Sequence, residues 1–277
     1  MSLPSFICIG AQKAGTTWLY EILSQNPGIW LPPLKEVHFF DRMGEAESAK
    51  EKRREHILKR AQRLEKNGGI KGSEGADEAR FLRNLVGQDV GTEQWYRKMF
   101  SHPDATGRVS GEITPAYLTL PEDKIAYAKS LLPDAKFVLI VREPLARALS
   151  QIKMEALRSG EALDDPAWQQ LIRRIKKTDR GNYSEFIPRW QRLLAPEQLL
   201  VLPFSLIKTD PAGMIRTIET FIGAPAYDNY KQLTETVHQT KPVAVPDWVS
   251  ERLAALMEPQ KQYLIDTFGL EFYEKTG

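Results

Sequence analysis

The sequence predicts an α/β fold, a parallel sheet flanked by helices on both faces. Three observations predict it. Two short, continuous apolar runs, "SFICIG" from residue 5 and "AKFVLIV" from residue 135, read as strands buried on both faces. Each is followed by a segment of helical periodicity, the alternation that gives parallel strands with crossover helices. The first strand is separated from its helix by the glycine-bracketed turn "GAQKAG", which makes the sheet P-loop-like.

The elements follow in chain order. In "TTWLYEILSQNP", Trp18, Leu19, Ile22 and Leu23 share a helical face, and Asn26-Pro27 stops the helix. "IWLPPLKEVHFFD" reads as a connection kinked by Pro32-Pro33, then a short extended stretch from Val37 to Phe40. Residues 48–66 form a charged helix with Ile57, Leu58, Ala61 and Leu64 on its apolar side. "NGGIKGSEG" reads as a loop and "GTEQWYRKMF" as a second amphipathic helix. "GRVSGEITPAYL" is a strand running into a loop, and "PEDKIAYAKSLLP" a helix with proline at its start and after its end.

Beyond "AKFVLIVREP", the strongest strand in the chain, "LARALSQIKMEALRSG" is a helix ending at glycine. Residues 161–181 read as an insertion. "YSEFIPRWQRLL" is helical despite Pro188, "EQLLVLPFSLI" is a strand and turn, and Asp210 caps the helix that follows it. The C-terminal "PDWVSERLAALMEPQKQYLIDTFGL" is helical with a break expected at Pro259. With no internal repeat or linker in its 277 residues, the chain reads as a single domain, 1–277.

Composition narrows the function classes. Apolar residues make up 42% and charged residues 27%, as in ordinary soluble proteins, and a formal net charge of +2 argues for neither nucleic acid nor membrane as a partner. The single cysteine, Cys8, rules out an intramolecular disulfide and a cysteine-built zinc site, and the four histidines (His38, His56, His102, His238) lack ligand spacing. No run approaches the ~18 apolar residues of a membrane span and no leader pattern opens the chain, so the expected location is cytoplasmic.

The turn after the first strand carries the chemistry. Gly10 and Gly15 keep the spacing of a nucleotide-hydrolysing loop, but the lysine stands at Lys13, inside the loop, instead of before the threonines. Backbone amides of Lys13, Ala14, Gly15, Thr16, Thr17 and Trp18, at the start of a helix, make an anion site. A metal-dependent nucleotide enzyme would need an acid after a second core strand. The strand "FVLIV" ends instead in Arg142, which can hold a second phosphate bidentately or serve as a surface ion-pair partner. Ser150 lies about two turns along the next helix and can join the same anion if that helix points its N-terminus at it. The ligand thus carries two separated anionic groups.

"GAQKAGTT", "KEVHFFD" and "VREPLARALS", in that order, closely resemble the sulfotransferases that use 3′-phosphoadenosine 5′-phosphosulfate (PAPS), above all the heparan-sulfate-type enzymes and their bacterial relatives. "QWYRKMF", "GEITPAYL" and "GNYSEFIPRWQRLL" extend the resemblance over most of the chain. It implies that residues 10–18 bind the 5′ end of PAPS with Lys13 beside the bridging oxygen, that Arg142 and Ser150 hold the 3′-phosphate, and that 3′,5′-ADP is the product. It also implies Glu36 as the base that takes the acceptor's proton, Lys35 favouring its ionised form. By itself Glu36 could equally be a solvated acid. In an extended strand His38 would point the same way as Glu36, as a second base candidate or a structural histidine; His238 is a third candidate. Lys13 can offset charge developing on the leaving phosphate.

Two departures from the family bear on the acceptor. Met154 stands where the family often carries a histidine, and no cysteine pair closes a loop over the cofactor, which leaves "HQTKPV" and Lys241 as the nearest equivalent. The basic runs at 50–66, with eight Lys/Arg against three Glu, and at 173–177 read as solvated faces or as a rim that attracts an anionic glycan or a carrier-bound substrate. Tyr183 and Trp190 read as core rather than as adenine contacts. The acceptor is a saccharide, a lipid-like alcohol, a polyketide hydroxyl or an amine. The rival readings are a P-loop kinase of a small metabolite and a nucleotide-binding module without turnover.

Overall fold

The computed structural model describes residues 3–67, 75–160, 163–177, 180–234 and 243–277. Five strands, β1 (Phe6–Gly10), β2 (Ile29–Trp30), β3 (Val109–Ile113), β4 (Lys136–Val141) and β5 (Leu199–Pro203), form one sheet in the order β2-β3-β1-β4-β5. Every pairing is parallel. All five residues of β1 are buried, as a strand covered on both faces requires.

The covering helices are α1 (Thr16–Leu23), α2 (Glu47–Asn67), α3 (Gly75–Val86), α4 (Glu93–Met99), α5 (Glu122–Leu131), α6 (Pro144–Ser159), α7 (Asp165–Lys177), α8 (Tyr183–Leu193), the short α9 (Leu206–Thr209), α10 (Pro211–Ile222), α11 (Asp247–Phe268) and α12 (Leu270–Glu274). Tyr183 and Trp190 are core residues, as their helical spacing predicts, and Asp210 caps α10 by accepting from the Gly213 amide at 2.9 Å.

Three expectations are corrected and one unassigned helix is added. Residues 37–40 form no strand: His38 has a left-handed backbone, φ 54°, and side chains rather than a neighbouring strand take up the segment's hydrogen bonds. Ile29–Trp30, read as a connection, pairs with Val109–Ser110 at the sheet edge. The helix at 75–86, whose Ala79, Leu82 and Leu85 are buried, was hidden by the glycine-rich stretch before it. Finally, α11 runs unbroken through Pro259, because the rest of the helix is anchored by Leu253, Met257, Gln260 and Leu264. Most of the loop expected at 67–75 lies outside the described residues.

Residues 161–181, read as an insertion, contribute α7. Its Trp168, Leu171, Ile172 and Ile175 pack with Ala148 and Ile152 of α6 and with Val249, Leu253 and Met257 of α11 as a small apolar cluster separate from the one around the sheet. Helix α11 belongs to both, since its Leu264 lies in the sheet cluster. Neighbouring strands β1 and β4 therefore bring their C-terminal ends together, and the loops that leave them meet in the crevice where α/β sheets bind ligands.

Candidate active site

The loop leaving β1 is tied to β4: Ala11 N donates to Ile140 O at 2.8 Å. Lys13 (φ 70°) and Gly15 (φ 77°) turn the chain through the left-handed region into α1. Gly15 is required on a second count, since a Cβ there would lie 2.2 Å from Ile207 Cδ1 of α9. No side chain caps α1. The first i→i−4 bond of the helix runs from Leu19 N to Gly15 O, which leaves the amides of Thr16, Thr17 and Trp18 aimed along the axis as an anion site. The Trp18 indole is spoken for: it is buried and donates to Leu233 O at 3.0 Å, so Trp18 offers the site only its backbone.

Arg142 arrives from the end of β4. Its Nη1 donates to the Lys13 carbonyl at 2.9 Å, and its guanidinium lies 4.7 Å over the Phe204 ring. Tyr183, from the core side, brackets the Arg142 backbone, its hydroxyl donating to Arg142 O at 3.0 Å and accepting from Arg142 N at 3.3 Å. Arg142 forms no ion pair among the described residues, and its buried Nε has no partner. Among the described residues this leaves a cation with an unmet donor. By contrast, Arg147 is fully buried and spends Nη1 on Gln151.

Lys13 Nζ sits 3.8 Å from the sulfur of Met154. Burial lowers the Lys13 ammonium's pKa, and the nearby Arg142 and Arg158 charges lower it further. Ser150 precedes Met154 by one helical turn, on the α6 face that meets Lys13. The N-terminus of α6 is occupied by its own acid: Glu143 accepts from the amides of Leu145 (3.0 Å) and Ala146 (2.6 Å). Any anion on this side must therefore use side chains.

Glu36 and His38 meet, though by a tight backbone turn rather than by strand alternation. His38 Nε2 lies 3.2 Å from Glu36 Oε2, and His38 Nδ1 lies 2.7 Å from Asp41 Oδ2. Lys35 approaches both Glu36 (3.6 Å) and the Thr17 hydroxyl (3.5 Å), linking this carboxylate to the anion loop. Burial pushes the Glu36 carboxyl up, but the His38 hydrogen bond and the Lys35 charge outweigh it and hold the group below the usual carboxylate range. Burial pushes His38 down, while Asp41 and Glu36 together raise it above the ordinary imidazole value. The result is a Glu36–His38–Asp41 chain of side chains in contact, with Lys35 at the other oxygen of Glu36. Asp41 was not singled out in the sequence, although its i+3 spacing from His38 in "HFFD" was the available signal.

A buried polar hub holds this segment. Glu112 of β3 accepts from Tyr96 (2.6 Å), Thr114 (2.7 Å) and Tyr117 (3.2 Å). Thr114 Oγ1 in turn accepts from Val37 N at 3.0 Å, and Tyr117 OH from Phe39 N at 2.8 Å. Burial pushes the Glu112 carboxyl up to about 7 against its three hydroxyl donors. Lys241 and His238 lie outside the described residues.

Arg142 is thus bonded to the Lys13 turn, and Lys35 links Thr17, at the end of that turn, to Glu36. The profile of the sulfotransferase family matches residues 4–229. The chain belongs to that family. It is 24% identical over 237 residues to the heparan sulfate glucosamine 3-O-sulfotransferase 5 of Mus musculus, covering 80% of this chain and 54% of that protein. It is also 25% identical over 248 residues to the human bifunctional heparan sulfate N-deacetylase/N-sulfotransferase 3, covering 83% of this chain and 23% of that one. The sulfotransferase chain thus spans about half or less of the length of these relatives. Among solved structures, a sulfotransferase from Alicyclobacillus acidocaldarius shares the fold at TM-score 0.66 and 23% identity, over 99% of this chain and 100% of that one. The sulfotransferase domain from the curacin biosynthetic pathway aligns at TM-score 0.55 and 15% identity, over 88% and 82%.

Proposed function

We propose that this sulfotransferase moves a sulfuryl group from PAPS to an acceptor hydroxyl, with 3′,5′-ADP as product. One observation carries the reading: the Arg142 guanidinium, its Nε unmet, is hydrogen-bonded to the same loop that presents the free amides of α1. Two anion sites on one crevice match a nucleotide that carries a 5′-phosphosulfate and a separate 3′-phosphate. PAPS supplies an activated sulfuryl group, and the residues of the chain do the rest. The amides of Thr16, Thr17 and Trp18 and the Thr16 and Thr17 hydroxyls bind the 5′ end, and Lys13 offsets the charge left on that phosphate. Arg142 and Ser150 hold the 3′-phosphate by charge-assisted hydrogen bonds.

Glu36, ionised at neutral pH, takes the acceptor's proton. His38 and Asp41 orient its carboxylate and share the proton's charge. The names of the heparan sulfate relatives, 3-O-sulfotransferases and N-sulfotransferases, favour a saccharide hydroxyl or amine as acceptor. No helix among the described residues is long and apolar enough to cross a membrane.

Thermal unfolding with 3′,5′-ADP tests the donor reading. At about 100 times its Kd the nucleotide should stabilise the protein by about 2.7 kcal/mol. Stabilisation by Mg-ATP and not by 3′,5′-ADP would refute the assignment. Transfer of labelled sulfate from PAPS to a panel of saccharides, alcohols and amines then identifies the acceptor.

A further inference from the structure

Helix α2 reads as a solvated basic face, and one of its arginines departs from that pattern. Arg53 lies at i, with Ile57, Ala61 and Leu64 at i+4, i+8 and i+11, the single face of α2 that is buried. It is 6% exposed in a position where an apolar residue would be expected. Burying a guanidinium costs several kcal/mol unless it is paired and hydrogen-bonded. Arg53 forms no ion pair among the described residues. Its Nη2 donates instead to two backbone carbonyls, Glu36 O at 2.7 Å and Val37 O at closer range. These carbonyls belong to the segment that carries the Glu36 carboxylate, and that segment has neither a strand nor a helix to hold it.

We propose that Arg53 is a positioning residue, whose guanidinium fixes the backbone at Glu36 and Val37 so that the Glu36 carboxylate stays against His38 and faces the acceptor. Thr114 and Tyr117 hold the amides of Val37 and Phe39, so with Arg53 on the carbonyls of Glu36 and Val37 the segment is clamped by side chains at two donors and two acceptors. A glutamate on an unanchored loop would sample many orientations, and transfer demands one. The clamp explains why a cation is retained in an apolar stripe. The inference deepens the reading of Glu36 as base, and it predicts a geometric property that can be measured without an acceptor.

The test is the titration of His38 in 15N-histidine-labelled protein, assigned with His38→Asn, in wild type and in Arg53→Met. His38 faces Glu36 and Asp41, with His56, Arg42 and Arg53 in the surrounding field. Losing the Glu36 contact should lower the His38 pKa by about half a unit or more. Removing a nearby cation without moving Glu36 would raise it, so the sign separates positioning from simple charge loss. Binding of 3′,5′-ADP should stay within about twofold, because the anion loop is held by β1 and β4. A His38 pKa unchanged or raised in folded Arg53→Met overturns the proposal. If that variant does not fold, Arg53→Lys decides: it keeps the charge but not the planar fork, so a smaller downward shift is expected and an unchanged titration overturns the proposal. Full turnover by Glu36→Gln would remove the base assignment and leave this geometric result standing on its own.

Discussion

Arg142 donates a hydrogen bond to the carbonyl of Lys13 at 2.9 Å, which joins the end of β4 to the turn that follows β1. Through this bond two cations separated by more than a hundred residues are held together, and burial together with Arg142 lowers the Lys13 pKa. Such a concentration of positive charge is costly in the free protein and is relieved by an anionic ligand.

Arg142→Met should therefore weaken 3′,5′-ADP binding by about 10- to 100-fold, the worth of charge-assisted hydrogen bonds. Arg142→Lys should recover only part of it, because an ammonium cannot reproduce the fork over Phe204. Isothermal titration calorimetry reads both, and wild-type affinity in Arg142→Met would exclude this guanidinium from the nucleotide site.

Glu36→Gln should lower sulfuryl transfer by about 100-fold or more, the usual contribution of a general base, with the 3′,5′-ADP thermal shift retained. The comparison requires both readouts on the same preparation. Normal turnover by the glutamine variant would assign the base elsewhere.

Gly15→Ala places a methyl 2.2 Å from Ile207 Cδ1 on a backbone at φ 77°. Strain and overlap together should cost about 2–4 kcal/mol in denaturant unfolding, and nucleotide affinity should fall as the loop shifts. An alanine variant of wild-type stability would show that α9 yields easily at this contact.

Glu112 should make stability depend on pH. Its folded pKa of about 7 lies above the ordinary 4.5, so its contribution is fully present below pH 4.5 and is lost as pH rises through 7. The loss amounts to at most about 3 kcal/mol, or about 1.4 kcal/mol per pH unit within the window. Urea unfolding of wild type and Glu112→Gln from pH 4.5 to 8 should show the wild type losing ground to the variant as pH rises. His38, also raised, acts in a later window: its share is full below 6.5 and disappears at higher pH. Parallel curves for wild type and Glu112→Gln would mean that the hub keeps the carboxyl ionised.

Much of this site was legible in the chain because it is built from local motifs. The strand–turn–helix at 6–23 carries its own geometry in glycine spacing and periodicity, and the strand ending in Arg142 is apolar enough to admit no other reading. The segment at 37–40 was misread for the opposite reason. Its apolar alternation matches a strand, but its amides are claimed by Thr114 and Tyr117, about eighty residues away in sequence. Arg53 was missed although its partners lie nearby in sequence, because it looks like one more surface arginine until the carbonyls of Glu36 and Val37 are placed against it.

The sequence by itself determined the parallel sheet, the anion loop, and the presence of Lys13, Glu36 and Arg142, because each follows from short-range pattern and residue chemistry. Tertiary structure alone decided that β1 and β4 are neighbours, that His38 reaches Glu36 through a left-handed turn, and that Met154 rests against Lys13. Those relationships depend on which strands pair and which helices cover them. The hydrogen-bond demands of a buried, irregular segment are met wherever the fold can supply partners, and no local pattern records where that will be.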